Sequence, residues 1–155
     1  MSETFIYETT VISDWIDYNG HLQDAYYGLI FSYAVDAVQD AIGFDAAYRK
    51  RTGCTIYLLE DHKYFLKEVK LGADLRVETV VLDSDEKRFH LHLTMLHDAT
   101  PVAISETMEL HVNQHPTPHA EAMPTEIAER LAAARVSNPE ALNSRSRRMM
   151  LKRSS

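Results

Sequence analysis

Residues 14–43 read DWIDYNGHLQDAYYGLIFSYAVDAVQDAIG, a polar turn followed by an almost wholly apolar stretch. Between Tyr26 and Ile42 the polar residues form one narrow stripe at helical spacing. That stripe consists of Ser32, Asp36, Gln39 and Asp40. A helix that is hydrophobic on nearly every side is buried, and Gly43 is suited to end it. The sequence therefore predicts a buried central helix from Gln23 to Ile42.

The turn before this helix contains a carboxylate, Asp17, followed by Asn19 and Gly20. Asp, Asn and Gly before a helix are ordinary capping and turn residues. The same arrangement also sets an acid beside the N–H groups of a helix start, whose positive dipole end can hold a developing oxyanion. Asp14 is the competing carboxylate, but its position at the end of a predicted strand favours exposure to solvent. The turn is therefore either a structural cap or part of a catalytic site.

The composition is that of a single globular domain. The chain has 155 residues, of which 45% are hydrophobic and 25% charged, and it has no apolar run long enough for a membrane span. Its N-terminal residues lack the basic start and apolar core of a signal peptide. One cysteine cannot form an internal disulfide, which fits a reducing compartment. We therefore expect a cytoplasmic protein.

Charge is distributed unevenly along the chain. The formal net charge is −7, although the last eleven residues contain five Lys and Arg residues and no acid. A body this acidic is a poor non-specific binder of nucleic acid. We therefore expect neither a nucleic-acid nor a membrane partner. The basic tail is interpreted as a frayed end and only secondarily as a grip on phosphates.

Five segments have the alternating or β-branched and aromatic composition of strands. They are residues 5–11 before the helix and residues 55–64, 75–82, 89–96 and 102–112 after it. The short breaks between the later segments predict an antiparallel meander. Residues 114–118 are expected to form a linker, and residues 124–134 a modestly amphipathic helix. The predicted division is a domain over residues 1–115, followed by linker, C-terminal helix and basic tail over residues 116–155.

One strand, one buried helix and four strands form an element order that resembles the hotdog-fold acyl-CoA thioesterases of the 4-hydroxybenzoyl-CoA thioesterase type. The run Asp17-x-x-Gly20-His21-Leu22 before the helix carries the same resemblance, which covers about residues 5–112. The resemblance implies an α+β hotdog fold, in which an antiparallel sheet of about five strands wraps around a long central helix, with a C-terminal helix added. Gln23 departs from the Asn that many relatives have there, so the capping detail of the helix start is not transferred.

The resemblance also implies a reaction. Asp17 matches the acid that acts on the thioester, either as nucleophile or as general base for water, and the carbonyl would lie over the helix start. The candidate oxyanion donors are the N–H groups near Asp24, Ala25 or Tyr26. Asn19 and His21 would orient Asp17 or water, or else only build the turn.

No metal and no other cofactor are expected, because a thioester already has an electrophilic carbonyl and a good leaving group. The implied partners are a coenzyme A thioester substrate and further copies of the chain, since the resemblance places hotdog active sites at dimer interfaces. We therefore expect a homodimer or homotetramer. The candidate cations for the phosphates of coenzyme A are Lys63, Lys67, Lys70, Arg76, Arg88 and the basic tail, and none is singled out.

Within the family, the wording WIDYNGH over residues 15–21, followed by Tyr26-Tyr27, is similar to that of thioesterases that act on betainyl-CoA in carnitine breakdown. A betainyl group is a quaternary ammonium, which aromatic faces and nearby carboxylates recognise. The predicted aromatic cage consists of Trp15, Tyr18, Tyr26, Tyr27 and Tyr33. Asp36 and Glu60 are candidate counter-charges. The alternative is that these aromatic residues only pack the core and a dimer interface.

Two rival sites and two rival functions stay open. His90 and His92 point the same way on one predicted strand and His111 lies on the next, so a three-histidine metal site is conceivable. Cys54 could be a nucleophile with His62, although a plain reduced thiol is the simpler interpretation. The protein could hydrolyse another short or aromatic acyl-CoA, or it could be a non-catalytic hotdog module that binds an acyl thioester.

Overall fold

The structure, a computed structural model, describes residues 2–142. Its strands are β1 (Thr4–Thr10), β2 (Cys54–Phe65), β3 (Asp74–Ser84), β4 (Arg88–His97), β5 (Thr100–Asn113) and β6 (His119–Ala120). Its helices are α1 (Asp24–Ile42), α2 (Ala46–Thr52), α3 (Thr125–Ala134) and α4 (Pro139–Leu142). A short 3-10 turn, Ser13–Trp15, precedes α1. None of the helices in residues 2–142 has both the length and the apolar composition needed to cross a membrane.

Helix α1 is the predicted central helix and begins one residue later than expected. Its buried residues recur at the three- and four-residue spacing of one helical face. They are Tyr27, Ile30, Phe31, Ala34, Val35, Val38 and Ile42. Gly43 ends the helix with φ of 113°, a left-handed conformation that favours glycine, and its N–H donates to the Gln39 carbonyl. The apolar pattern therefore predicted both the helix and its end.

All pairings in the sheet are antiparallel, and the strand order is β1-β3-β4-β5-β2, with β6 added beside β5. The prediction of a continuous meander is wrong for β2, which pairs with β5 rather than with β3. The eight residues 66–73 can span roughly 26 Å when extended, whereas three strand spacings need only about 14 Å. A short break therefore did not require the two strands to be neighbours.

The inner face of the sheet packs on α1 and divides into two halves. On the apolar half, formed by β1, β3 and β4, the inner residues of β4 are completely buried. Those residues are Phe89, Leu91, Leu93 and Met95. On the polar half, formed by β5 and β2, the β5 residues opposite the first three of these are Glu109, Thr107 and Ser105, and the apolar Ala103 is opposite Met95. The hydrophobic core therefore lies mainly under the apolar half.

A β-bulge at Leu59 changes which residues of β2 face α1. Leu58 pairs with Glu109, but Glu60 pairs with Met108, so Leu59 is an extra residue in the strand. Because side chains alternate between faces, the extra residue turns Asp61 inward and Glu60 outward. Glu60 then contacts His62 on the outer face, with 2.9 Å between Oε1 and Nε2. The predicted counter-charge Glu60 therefore faces away from α1.

The segment after the sheet packs on the same core. Met123, Leu131 and Ala134 are buried in it, and the Val136 N–H donates to the Val81 carbonyl at 3.0 Å. Helix α3 is the predicted C-terminal helix. The division at residue 115 stays a prediction, and the basic tail lies outside the described residues.

Candidate active site

Asp17 occupies a tight turn that its own carboxylate holds together. Its Oδ1 accepts hydrogen bonds from the Asn19 N–H at 2.9 Å and the His21 N–H at 3.2 Å. Gly20, with φ of 80°, lets the chain reverse there, and its N–H donates to the Asp17 carbonyl. Both of these hydrogen bonds use Oδ1, so among the residues that the structure describes the lone pairs of Oδ2 remain available for chemistry.

The turn is fixed to the body of the protein on two sides. The Gln23 N–H donates to the Trp15 carbonyl at 2.9 Å, and the Leu22 N–H donates to the Val69 carbonyl at 2.7 Å. Leu22 and Val69 are both buried. The residues that follow β2 therefore position the turn that carries Asp17.

The start of α1 leaves one of the predicted oxyanion donors unused. The Ala25 N–H donates to the Asp24 carboxylate at 2.9 Å, and the Tyr26 N–H donates to the Gln23 carbonyl at 2.9 Å. The Asp24 N–H makes no hydrogen bond to the part of the chain that the structure describes. Gln23, just before the helix, makes no side-chain capping bond. Asp24 therefore supplies the N–H group at the positive end of the helix dipole.

Asp17 opens onto a cleft of about 550 Å³ between the helix start and the end of β2. The acidic, imidazole and aromatic side chains that line the cleft include Asp17, Tyr18, His21, Tyr27, Phe65 and Glu68. The His21 Nε2 lies 3.1 Å from a Glu68 carboxylate oxygen, so the imidazole contacts Glu68 while the backbone N–H of His21 holds Asp17. The cleft thus brings together one candidate reacting carboxylate, a second carboxylate and aromatic surface.

Tyr27 is buried at the inner wall of this cleft. Its hydroxyl donates to the Lys67 carbonyl at 3.1 Å, and its ring meets Phe65 edge to face with 5.2 Å between centroids. Burial raises the pKa of Tyr27, and the negative charges of Glu68 and Asp17 raise it further. The hydroxyl therefore stays protonated beside these two carboxylates.

The five predicted cage residues are not gathered in one place within the chain. Tyr18 is 98% exposed and lines the cleft, as does Tyr27. Trp15 and Tyr26 stack on each other beside it, with 6.1 Å between ring centroids. Tyr33 lies further along α1, where its ring is 6.4 Å from that of Tyr7 on β1.

Sequence reasoning missed Phe65 and Glu68. Phe65 is 52% exposed at the end of β2, and Glu68 follows in the next loop. Neither lies near the turn in sequence, because the contact depends on how β2 returns to the start of α1. Asn19 contributes its N–H to Asp17, and Asp14 is an exposed residue of the 3-10 turn outside the cleft.

The three-histidine metal site is wrong. His90 and His92 face outward on β4, whereas His111 lies on the inner face of β5, in register with Glu109 and Thr107. The Nδ1–H of His111 donates to the Glu121 carbonyl at 2.8 Å. Its Nε2 accepts from the Tyr48 hydroxyl at 2.7 Å.

Cys54, the other rival, belongs to this same buried network. It is buried, its thiol contacts the Glu121 carboxylate at 3.4 Å, and burial raises the pKa of the thiol. His62 lies on β2 facing outward and contacts Glu60 instead. A nucleophilic pair of Cys54 with His62 is therefore wrong. Cys54, His111 and Glu121 have ligand atoms within 4.8 Å of one another, and their hydrogen bonds join this part of the chain to α2, β2 and β5.

The candidate cations for coenzyme A have different surroundings. Lys63 pairs with Asp61, Arg88 with Asp85, and Arg76 with two glutamates, as the surface ion pairs show. Lys67 lines the cleft, and Lys70 follows three residues later in the same loop. Both lysines are exposed, and Lys70 pairs with His21 of the Asp17 turn in an isolated antiparallel bridge.

Comparison with known proteins gives a consistent family. A sequence profile described as the thioesterase-like superfamily matches residues 11–131. Betainyl-CoA thioesterase of Pseudomonas aeruginosa is 48% identical over 109 residues, which cover 69% of each chain. An L-carnitine dehydrogenase/betainyl-CoA thioesterase of Agrobacterium fabrum is 43% identical over 70% of this chain, which spans only 22% of that longer protein.

A solved structure agrees with these sequences. A Staphylococcus aureus protein determined in complex with CoA has a TM-score of 0.81 and 32% identity, covering 86% of this chain and 85% of that one. The chain therefore belongs to the thioesterase-like superfamily and is an acyl-CoA thioester hydrolase with a hotdog fold.

Proposed function

We propose that the enzyme hydrolyses betainyl-CoA to glycine betaine and free coenzyme A. The observation that carries the proposal is the Asp17 cleft, in which a carboxylate and a helix N–H face one space of about 550 Å³. The relatives named betainyl-CoA thioesterases, at 48% and 43% identity, support the choice of acyl group.

In the proposed reaction Asp17 Oδ2 either attacks the thioester carbon or takes a proton from the water that attacks it. The negative charge that develops on the carbonyl oxygen faces the Asp24 N–H, which is oriented before the reaction begins. Collapse of the tetrahedral species breaks the C–S bond and expels the coenzyme A thiolate, which takes up a proton. In the nucleophilic route this leaves a mixed anhydride on Asp17, which water then hydrolyses to glycine betaine and the free Asp17 carboxylate. Asn19 and His21 act through their backbone N–H groups, because these hold Asp17 in place.

The quaternary nitrogen of a betainyl group is two bonds from the carbonyl carbon, so it must bind close to Asp17. The side chains of the cleft that suit it are the exposed Phe65 ring, the Tyr18 ring and the Glu68 carboxylate. Aromatic faces attract a cation that cannot donate hydrogen bonds, and a nearby carboxylate adds charge attraction. Lys67 and Lys70 are placed to meet the phosphates of coenzyme A.

The proposed assembly is a homodimer or a homotetramer built from it. Strand β2 lies at one edge of the sheet and exposes large apolar side chains, including Tyr57, Leu58 and Leu59. Pairing with a second copy would cover both the unpaired backbone groups and this apolar surface. A monomer in light scattering at micromolar concentration would contradict this assembly. The proposed compartment is the cytoplasm, which suits the single reduced cysteine.

A thiol-release assay tests the function directly. The assay compares betainyl-CoA with the neutral ester in which tert-butyl replaces trimethylammonium, and with short and aromatic acyl-CoA esters. We expect betainyl-CoA to have the highest kcat/KM, by roughly 10-fold or more over the neutral ester. Equal turnover of the charged and neutral esters would favour another acyl group. No thiol release from any ester would favour the non-catalytic module.

A further inference from the structure

A second cavity lies between α1 and the polar half of the sheet, next to the active-site cleft but separate from it. This acidic groove, defined by Asp36, Asp61, Lys63, Ser105, Thr107 and Glu109, has a volume of about 170 Å³. The polar stripe of α1 faces it, since Ser32, Asp36 and Gln39 are all in its wall. The groove therefore explains why an otherwise apolar helix keeps polar residues along one line.

Negative charge dominates the groove. Asp36 comes from α1, Asp61 from β2 and Glu109 from β5, whereas Lys63 is the one cationic side chain in the wall and is paired with Asp61. Glu109 is only 3% exposed. Burial raises the pKa of Glu109 to about 7, the Thr107 hydroxyl opposes the rise, and the charges of Asp36 and Asp61 add to it. A buried carboxylate with acidic neighbours is costly unless a cation comes close.

An independent observation indicates that the groove is built to contact something. The Ser105 side chain is completely buried in the wall, and its hydroxyl has no hydrogen-bond partner among the described residues. A buried polar group without a partner is unfavourable, because it has lost its hydrogen bonds to water and gained none in the fold. A polar hydroxyl, a buried carboxylate and two further carboxylates therefore face the same small space.

The size and spacing of these groups favour an organic cation over a metal ion. Among the described residues, the ligand atoms that approach closely enough for one metal are those of Cys54, His111 and Glu121, and the three groove carboxylates are not among them. The wall also contains apolar side chains, including Phe31 and Val35 of α1. A weakly hydrated cation with a carbon shell matches apolar walls and dispersed carboxylates together.

We propose that the acidic groove is a second binding site, which takes one small organic ammonium ion between Glu109 and Asp36. It is distinct from the acyl position in the same chain, because Asp36 lies twelve residues after Asp24, about 18 Å along the helix axis. A betainyl nitrogen held beside Asp17 cannot reach that far. Within one chain the site is therefore separate from the acyl position, and its test with simple ammonium ions does not depend on which ester the enzyme hydrolyses.

Binding at this site is coupled to a proton. The charged groups that face Glu109 are Asp36 on α1 and Asp61 and Lys63 on β2, while its neighbour on β4 is Phe89. A cation in the groove favours ionised Glu109, so binding releases a proton from this carboxyl when the pH is near or below 7. Affinity should rise about tenfold between pH 6 and pH 8, in proportion to the ionised fraction of Glu109.

Calorimetric titration of the full chain tests the site. The probes are tetramethylammonium chloride and ethylammonium chloride, with sodium chloride at equal ionic strength as the reference. We expect saturable binding of both probes at pH 8, about tenfold weaker binding at pH 6, and proton release detected by repeating the titration in buffers of different ionisation enthalpy. Heats no larger than those of sodium chloride, or affinity that does not change with pH, would overturn the proposal.

Three variants locate the site. Glu109→Gln should weaken binding at pH 8 at least tenfold and remove its pH dependence. Asp36→Asn, at the exposed rim of the groove, should also weaken binding, and this substitution changes no buried residue. The matched control is Glu60→Gln, which removes a carboxylate from the opposite face of the same sheet region and should bind as wild type. Wild-type affinity in both Glu109→Gln and Asp36→Asn would refute the assignment.

Ser105→Ala distinguishes the two kinds of ammonium ion. Ethylammonium has N–H groups that can donate to the Ser105 hydroxyl, whereas tetramethylammonium has none. The variant should therefore weaken ethylammonium several-fold and leave tetramethylammonium unchanged. Equal binding of ethylammonium to Ser105→Ala and wild type would contradict a role for this hydroxyl in the site.

Discussion

The two halves of the inner sheet face pack on the same helix but have opposite chemistry. The apolar half is sealed, and the inner side chains of β4 have no exposure to solvent. The polar half has a carboxylate and hydroxyls at the positions opposite Phe89, Leu91 and Leu93, and these line the acidic groove. The boundary runs between β4 and β5, where Phe89 and Glu109 are directly opposite each other. Inner residues of one strand can therefore stabilise the fold while those of the neighbouring strand line a binding groove against the same helix.

The largest effect should come from the apolar side of this boundary. Phe89 is completely buried and stacks near Phe44, with 6.3 Å between ring centroids. Phe89→Ala removes buried apolar surface and leaves a cavity, so the free energy of unfolding in urea should fall by about 3–5 kcal/mol. Thr107→Ala on the polar half is the matched control and should cost less than about 1.5 kcal/mol. Equal losses in the two variants would erase the distinction between the halves.

On the polar half, a substitution at the residue opposite Phe89 should raise the free energy of unfolding instead of lowering it. The pKa of Glu109 is about 7 in the folded protein against an ordinary 4.5, so its contribution to stability is fully present below pH 4.5 and is lost as the pH rises through 7. Glu109→Gln mimics the protonated acid at every pH. It should raise the free energy of unfolding by about 3 kcal/mol at pH 8 and have little effect at pH 4.

Urea unfolding at both pH values measures this change, with Glu60→Gln as a control that should change little at either pH. A destabilised Glu109→Gln at pH 8 would mean that the carboxylate is favourably paired in the folded protein. The comparison of the two halves would then have to be revised, since both would contribute to stability.

The active-site cleft lies beyond the polar half, and its key residue should matter for rate and not for folding. Asp17→Asn keeps the size and the Asx turn but removes the charge, so kcat should fall at least 10²-fold, the scale of a lost acid–base group. Asp14→Asn, in the exposed 3-10 turn, should retain wild-type kcat. If Asp14→Asn is inactive and Asp17→Asn is not, the reacting carboxylate has been assigned incorrectly.

The smallest predicted effect concerns the aromatic wall of the cleft. Phe65→Leu keeps apolar volume but removes the ring, so the preference for betainyl-CoA over its neutral tert-butyl analogue should fall by about 2- to 30-fold, the scale of one cation–π contact. The ratio of kcat/KM for the two esters measures it. Tyr33→Leu, whose ring lies beside Tyr7, should leave this ratio unchanged. An equal loss in both variants would indicate a general packing effect.

Local sequence patterns predicted much of this architecture. The apolar face of α1 and the glycine after it follow from residue spacing, and the strands were located to within a few residues. Helix α2 was missed, although Asp45 caps it by accepting from the Tyr48 N–H and Gly53 ends it with φ of 70°. Both are standard signals of a helix boundary, so this element was accessible from the sequence.

The remaining differences depend on contacts between distant segments. The lengths of the segments between strands do not determine that β2 pairs with β5. They also do not show that Phe65 approaches the turn that holds Asp17. Alternation shows which residues of one strand share a face, but which faces of two strands coincide depends on their register. The sequence therefore could not show that His111 and His90 lie on opposite faces of the sheet. The turn itself was predictable because its hydrogen bonds join residues within four positions of one another.

Leu59 is also the position at which β2 tolerates a change in length. Without the bulge, the alternation that places Leu58 inward would send Asp61 and Lys63 outward and bring Glu60 and His62 against α1. Deleting Leu59 would restore a regular strand with the same inward residues. Deleting a residue between Asp61 and Phe65 would instead turn the residues that follow the deletion to the opposite face of the sheet. Changes of chain length, more than substitutions, are therefore the quick route by which this scaffold could exchange the chemistry of its groove.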